Sequence, residues 1–334
     1  MRFLKEFKEI KGDASFRKFY RNKKNKSIII YARKEKNKNL LIYDAINKIL
    51  NKNKILAPNL YKENYNKNYI EIQDFGNETI FNKLNKKKTN KFSYFKKIIN
   101  LLNKKHVNKF SYFKKIIKLL NQIQIIQDIR VRNFKKKIYT IPKYDTKILA
   151  KEANLFCDWY AKKNLLKTKR KKFSNEYQKI IKVLTSKLEL KNDVFVHRDF
   201  HVSNLMLVKN KIGVLDSQDA MIGNRAYDLA SLIDDVRFKT SKKLKKKIYN
   251  FYIKEQKKLK IIKFKNDFEI LSILRNLKII GIFTRLAIRD GKKNYLKFIP
   301  YTWQLINMRI NQNDLFKDLK DLLKKNFKKK LNEN

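Results

Sequence analysis

The stretch Val194–Asp219, VFVHRDFHVSNLMLVKNKIGVLDSQD, constrains this chain more than any other. It holds three short apolar runs, Val194–Val196, Leu205–Val208 and Ile212–Leu215, rich in the β-branched and aromatic residues that favour strands. Lys209-Asn210-Lys211 separates the last two runs as a hairpin turn would. The polar residues fall where the runs break. His197, Asp199, His201 and Asn204 lie in the first break, and Asp216 and Asp219 follow the last run. Short strands patterned this way present carboxylates and an amide at loop ends, where a scaffold holds reactive groups.

The spacing H-x-D-x-x-x-x-N, followed by a strand-borne Asp, suits phosphoryl transfer. That chemistry needs a carboxylate to accept the proton of the attacking hydroxyl. It also needs hard oxygen ligands for Mg²⁺, which keeps several waters and takes only one or two protein carboxylates. Asp199 fits the first role, with His197 beside it, and Asn204 and Asp216 fit the second. The bland alternative is two surface aspartates, a loop amide and a capping histidine. It leaves the joint spacing of these residues and the strand pattern to coincidence.

HRDFHVSNLM, IGVLDSQDAMIG and AYDLASLIDDVR together resemble the aminoglycoside phosphotransferase/choline kinase superfamily. Within it they are similar to the bacterial kinases that phosphorylate the anomeric hydroxyl of N-acetylmuramate and N-acetylglucosamine. The resemblance runs along nearly the whole chain. It implies an α+β, two-lobed protein-kinase-like (aminoglycoside phosphotransferase-like) fold, with a small β-rich N-terminal lobe over residues 1–74. A hinge at 75–79 and a larger, mainly helical lobe over 80–312 would follow. It further implies ATP and Mg²⁺ as cofactors, an amino sugar as acceptor, and Asp228 as a residue that orients the catalytic loop through hydrogen bonds. One departure stands out. The family usually has Phe after the metal-binding Asp, and this chain has Ser217, which puts the packing of that loop in question.

Upstream, EIKGDASFRKFYR predicts a turn and a hairpin with Ser27–Tyr31, and matches the nucleotide-covering loop of the resembling kinases. Gly12 lets the backbone approach phosphate, and the Asp13-Ala14-Ser15 turn offers a hydroxyl and N–H groups as donors. Protein kinases carry a phosphate-contacting Lys on the next strand, but SIIIYARKEK has none within its apolar run. Arg17, Lys18, Arg33 and Lys34 are the possible substitutes, and the residues do not choose between them. The strand YIEIQDF, ending at Gly76, marks the hinge, with Asp74 and Phe75 beside the expected adenine site.

Residues 90–99 and 108–117 are the same ten letters, NKFSYFKKII, repeated at a period of 18. At about 3.6 residues per turn this is a whole number of helical turns, so a tandem duplication of this kind, around 90–121, preserves the apolar face or loops out at Asn103–His106. Leu149, Ala153, Phe156 and Tyr160 share one helix face in YDTKILAKEANLFCDWY. Glu152, Asp158 and Trp159 there line a sugar pocket or are ordinary core and surface residues. Leu271, Leu274, Leu277 and Ile280 predict a buried helix, with Arg275, Asn276 and Arg285 on or beside that face. A buried Arg requires a partner, either an acceptor's carboxylate or an internal ion pair. Asp234, Asp235 and Arg237 are read as continuing the helix opened by Ala226, and residues 313–334 as a Lys-rich tail ending in a frayed helix. His201 and Asp219 join Trp159, Arg275 and Arg285 as candidate acceptor contacts.

The charge is extreme, 83 basic against 30 acidic residues, a net +53. Lysine dominates, spreads over the whole length and rises together with asparagine while glycine and proline are scarce, the pattern of an AT-rich coding bias. No nucleic-acid-binding motif accompanies it, so nucleic acid is not expected as a partner. One cysteine, Cys157, excludes an internal disulfide framework. No apolar run is long enough to span a bilayer, and MRFLKEFKEIKGD lacks a signal-peptide core, so a cytoplasmic protein without a membrane partner is expected. Two other readings compete. One is a kinase of an aminoglycoside, choline or amino alcohol. The other is a basic, non-catalytic pseudokinase that binds nucleic acid, against which the complete Asp199, Asn204 and Asp216 set argues.

Overall fold

Antiparallel strands build the N-terminal part of the chain. The computed structural model describes residues 7–10, 15–22, 24, 26–85 and 109–332. Strands β1 (Phe7–Ile10), β2 (Lys18–Asn22), β3 (Ser27–Tyr31), β4 (Leu60–Asn64) and β5 (Tyr69–Gln73) form one sheet in the order β1-β2-β3-β5-β4. The register sets Ile30 opposite Ile70. Because strand side chains alternate between faces, Ile30, Ile70 and Ile72 share the side that buries Leu40 and Tyr43 of the helix Lys38–Lys52. A short hairpin, β6 (Arg130–Arg132) and β7 (Ile138–Thr140), follows.

These elements belong to the first of two compact units, composed of Met1–Thr140, Asp199–Asp219 and Ser241–Glu255. The second comprises Ile141–Arg198, Ala220–Thr240 and Gln256–Asn334. The chain therefore crosses from one unit to the other between Arg198 and Asp199, inside the motif that dominates the sequence. Ahead of that crossing, β8 (Asn192–Val196) pairs with β11 (Met221–Asn224) in the second unit. After it, β9 (Leu205–Val208) and β10 (Lys211–Val214) form a hairpin in the first. Lys209 and Asn210 both have positive φ, 43° and 65°, as a two-residue turn that matches strand twist requires.

The first copy of the duplicated decapeptide, the Asn103–His106 junction and Gly12–Ala14 lie outside the described residues. The second copy runs into the helix Lys109–Gln124, which buries Phe113, Ile116, Ile117 and Leu120. It packs on the helix Lys242–Glu255, where the Tyr252 hydroxyl donates to Gln124 Oε1 at 2.7 Å.

The second unit is organised by the helix Ile261–Arg289, whose Leu271, Leu274, Leu277 and Ile280 are all buried. The predicted amphipathic stretch becomes the helix Thr146–Ala153, capped by the Asp145 carboxylate, and a π-helical turn at Phe156–Ala161. Leu149, Ala153, Phe156 and Tyr160 all face the core. Gly281 allows the long helix to cross this segment at close range. A Cβ there would lie 2.3 Å from the Leu155 carbonyl oxygen.

Two local readings change. The helix opened by Ala226 ends at Ile233, before Asp234 and Asp235. Asp234 accepts from Ser272 Oγ and from Arg309, and the Asp235 carboxylate accepts the Arg237 N–H, so both carboxylates serve tertiary and turn contacts. The C-terminal stretch is also docked, where sequence suggests fraying. Phe316, Leu319, Leu323, Phe327 and Leu331 make a stripe of spacing three to four, and Phe327 meets Phe156, Phe173 and Trp303 edge-on or tilted. Exposed lysines, among them Lys317, Lys324, Lys325 and Lys328, occupy the outer side of that helix. Among the described residues, no helix is long and apolar enough to cross a membrane.

The Gly281 crossing has a measurable consequence. Gly281→Ala improves helix propensity by about 1 kcal/mol. Its new methyl meets backbone that cannot step aside, so the net result is a loss of about 1–3 kcal/mol, read from chemical denaturation.

Candidate active site

Strand register brings the two proposed metal ligands together. Leu205 pairs with Val214, so the residues just outside the hairpin, Asn204 and Leu215, also meet, and the Leu215 N–H donates to the Asn204 carbonyl at 2.9 Å. Asp216 follows immediately. The Asn204 side-chain amide donates to the Asp199 carbonyl at 3.0 Å, and the His201 N–H donates to the same oxygen at 3.0 Å. This closes a tight loop that leaves Asn204 Oδ1 as an acceptor and Asp199 exposed. His201 is buried in that loop.

Asp216 has φ +62°, a conformation that non-glycine residues seldom adopt. It is held there by Arg17. The Arg17 Nη2 donates to Asp216 Oδ1 at 2.5 Å, and Nη1 donates to Gln218 Oε1 at 2.9 Å. The Arg17 Nε and backbone N–H both donate to Ser15 Oγ, at 3.2 and 3.1 Å. The guanidinium lies 5.6 and 5.7 Å from the ring centroids of Phe19 and Tyr43. Burial pushes the Tyr43 hydroxyl up to about 12 against the pull of Arg17, so it stays protonated. Between these anchors, Ser217 is fully buried and donates to Asn47 Oδ1 at 2.8 Å. The loop without an aromatic is thus pinned by polar bonds.

Ser15, Asn204 and Asp216 line one cavity of about 300 Å³, with Asp74, Phe75 and Gly76 at its side and Ile28, Ile72, Met206 and Leu215 as apolar walls. Asp74 spends its carboxylate on Arg21, at 2.6 Å, and on the Gly76 N–H, at 2.7 Å. Phe75 is buried against Gly213, where a Cβ would come within 2.6 Å of its ring. Of the four candidate cations, Lys18, Arg33 and Lys34 are exposed and Arg17 is buried. Asn204 Oδ1 and the second Asp216 oxygen are hard donors, and Asp216 is 41 % exposed beside its ion pair. That set fits Mg²⁺, which fills its shell with water. It does not fit zinc, since no group of three His, Cys, Asp or Glu suited to a metal occurs among the described residues.

In the second unit, Asp228 is buried in the first turn of the helix Ala226–Ile233. Its carboxylate accepts the His197 N–H at 2.7 Å and the Arg198 N–H at 2.9 Å. Arg198 is left-handed, φ +73°, and its guanidinium pairs with Glu152 and lies 4.8 Å over the Tyr144 ring. Lys278 reaches Glu152 at 2.9 Å and Tyr144 donates its hydroxyl to the same carboxylate. Glu152, read from sequence as a pocket candidate, is therefore committed to Arg198. Arg275 is buried, with Nη1 3.5 Å from the Asp234 carbonyl, while Arg285 and Trp159 are half-buried and Asp158 is exposed. In the first unit Asp219 is exposed and accepts from Gln218 Nε2 at 2.9 Å. Sequence reasoning missed Gln218, Asn47, Tyr43 and Arg21. Each contributes through a partner distant in sequence, for which no local signal exists.

Solved structures share the fold. A choline/ethanolamine kinase family protein from Mesorhizobium loti superposes with a TM-score of 0.60 at 8% identity, covering 96% of this chain and 93% of that one. An ADP-bound aminoglycoside phosphotransferase, APH(2'')-Ib, does so with a TM-score of 0.56 at 13% identity, covering 94% and 96%. The fold is that of the two-lobed, kinase-like phosphotransferases. Residues 105–257 match the model of the phosphotransferase enzyme family (APH). Two curated relatives are named N-acetylmuramate/N-acetylglucosamine kinase. The one from Neisseria meningitidis serogroup B is 35% identical over 169 residues, 48% of this chain and 50% of its own length. The one from Pseudomonas aeruginosa is 31% identical over 189 residues, 55% and 56%. The chain thus spans about half the length of the curated relatives it matches.

Two outcomes test this arrangement. Burial pushes the Glu152 carboxyl up, but Lys278 and Arg198 outweigh it and hold it below the ordinary glutamate range. A depressed value contributes stability above the unfolded-state value, and that stability is lost as pH falls through the folded one. Glu152→Gln should therefore lower the melting temperature most at neutral pH, with the gap closing as pH drops below about 4. The second concerns Ser217. Ser217→Phe overfills a buried site and strips Asn47 of its donor, so stability should fall by about 1–3 kcal/mol in denaturant titrations.

Proposed function

We propose that this protein is an ATP- and Mg²⁺-dependent kinase that phosphorylates the anomeric hydroxyl of N-acetylmuramate or N-acetylglucosamine. The product would be a sugar 1-phosphate, formed in the cytoplasm during recycling of cell-wall sugars. The observation that carries this reading is the kinase name shared by the curated relatives, whose aligned parts cover 48% and 55% of this chain. Support comes from Asn204 and Asp216 lining one cavity, with Asp199 tied to Asn204.

In this reading Asp199, exposed on its loop, accepts the proton of the sugar hydroxyl. An anomeric hydroxyl is more acidic than an ordinary sugar alcohol, which suits a carboxylate base. Asn204 and Asp216 would hold Mg²⁺, which neutralises charge on the phosphates. The Asp74–Gly76 turn would flank adenine, and Ser15 would donate to a phosphate oxygen from the loop that begins at Gly12. Asp228 keeps the residues ahead of Asp199 in place through their N–H groups. His201 and Asp219, in the first unit with Asp199, are assigned to the acceptor.

The test is a radiolabelled-ATP assay against N-acetylmuramate, N-acetylglucosamine, aminoglycosides and choline, with NMR of the product. Phosphate at the anomeric carbon of an amino sugar is expected. Asp199→Asn should keep the fold and lose about 10²- to 10⁴-fold in turnover, the usual worth of a general base. Transfer only to choline or an aminoglycoside, or phosphate at the 6-position, would overturn the acceptor assignment.

A further inference from the structure

Arg17 makes four hydrogen bonds at the cavity, and their pattern is specific. Its guanidinium donates to Asp216 and Gln218, the residues on either side of Ser217, at 2.5 and 2.9 Å. Its Nε and backbone N–H donate to one oxygen, Ser15 Oγ. A hydroxyl oxygen that accepts twice has its lone pairs occupied, and its single O–H is left to donate elsewhere. Ser15 lines the cavity, as does Asp216. One buried side chain therefore orients a hydroxyl donor and a carboxylate in the same space.

We propose that Arg17 is the positioning residue of the nucleotide site, setting the Asp216 carboxylate for Mg²⁺ and the Ser15 hydroxyl for phosphate. This rests on the reading that Mg²⁺ and ATP occupy this cavity. Arg17 replaces two things that the chain lacks: an aromatic residue after Asp216 and a lysine within β3. The guanidinium suits the task because it is planar, remains charged, and fixes several acceptors in one plane. Asp216 offers Oδ1 to Arg17 and keeps its other oxygen, so the ion pair and a metal do not compete for one atom. The bond also holds Asp216 in its left-handed conformation. A carboxylate released from Arg17 would rotate and relax away from the metal position.

The experiment measures how Mg²⁺ strengthens binding of a non-hydrolysable ATP analogue by calorimetry, in the wild type, R17A, R17K, Q218A and the exposed charge control K62A. R17A should raise the Mg²⁺ midpoint by about tenfold or more, in line with the loss of a partner that orients a metal ligand. Binding of the analogue in EDTA should change much less. R17K keeps a charge but loses the fork, and Q218A removes one acceptor, so both should give smaller shifts, and K62A none. If R17A fails to fold, the R17K and Q218A shifts decide. Unchanged midpoints in folded variants would overturn the proposal, and a lowered midpoint would make Arg17 a competitor of the metal. Failure of the wild type to bind the analogue would overturn the nucleotide reading and this inference with it. Mg²⁺-dependent binding without sugar phosphorylation would remove the acceptor assignment alone.

Discussion

One residue in each compact unit leaves its strand in the left-handed backbone conformation, and the loop around each depends on holding it there. Arg198, after β8, has φ +73°, and Asp216, after β10, has φ +62°. Each such conformation costs on the order of 1–3 kcal/mol and persists only where surrounding contacts over-determine it. At Arg198 those contacts are the Asp228 carboxylate on two consecutive N–H groups and the Glu152 carboxylate on the guanidinium. At Asp216 they are the Arg17 fork and, one residue on, the buried Ser217–Asn47 bond. In both places a carboxylate–guanidinium pair does what a glycine would do by conformational freedom alone, and it leaves a charged side chain at the turn.

These pairs are partly or fully buried, which decides what they are for. A buried ion pair repays its desolvation only with good geometry and further hydrogen bonds, so its net contribution to stability is small. Breaking one partner is costly, because the survivor stays in a poorly solvated place. Such pairs therefore contribute more to a single arrangement than to overall stability. Glu152 illustrates this, with Arg198, Lys278 and the Tyr144 hydroxyl all converging on one carboxylate. The apolar core contributes the bulk of the stability, through the long helix Ile261–Arg289 and the aromatic cluster around Phe156.

The net charge of +53 bears on solution behaviour more than on architecture. Surface lysines repel one another in the compact state, and their field attracts anions, an effect that weakens with salt. A nucleotide or a sugar acid gains from such a field on approach.

Periodicity by itself determined much of the chain. The runs at Val194, Leu205 and Ile212, the turn at Lys209–Asn210, the face Leu149-Ala153-Phe156-Tyr160 and the buried helix around Leu274 are all local patterns, and local patterns survive folding when one face must be buried. The spacing of Asp199, Asn204 and Asp216 was legible for the same reason, since a hairpin of fixed register carries two of them. What only the tertiary structure decided was partnership. Arg17 and Gln218 lie 201 positions apart, and Ser217 and Asn47 lie 170 apart. Nothing in either neighbourhood marks the pairing. The same holds for the C-terminal helix, whose sparse leucines look too few to anchor it until Phe316 is buried in the core and Phe327 meets aromatics from elsewhere in the chain. Burial pattern is written along the sequence because strands and helices repeat at short range. Which charge meets which, and which glycine must stay bare, depends on distances that exist only after the chain has packed.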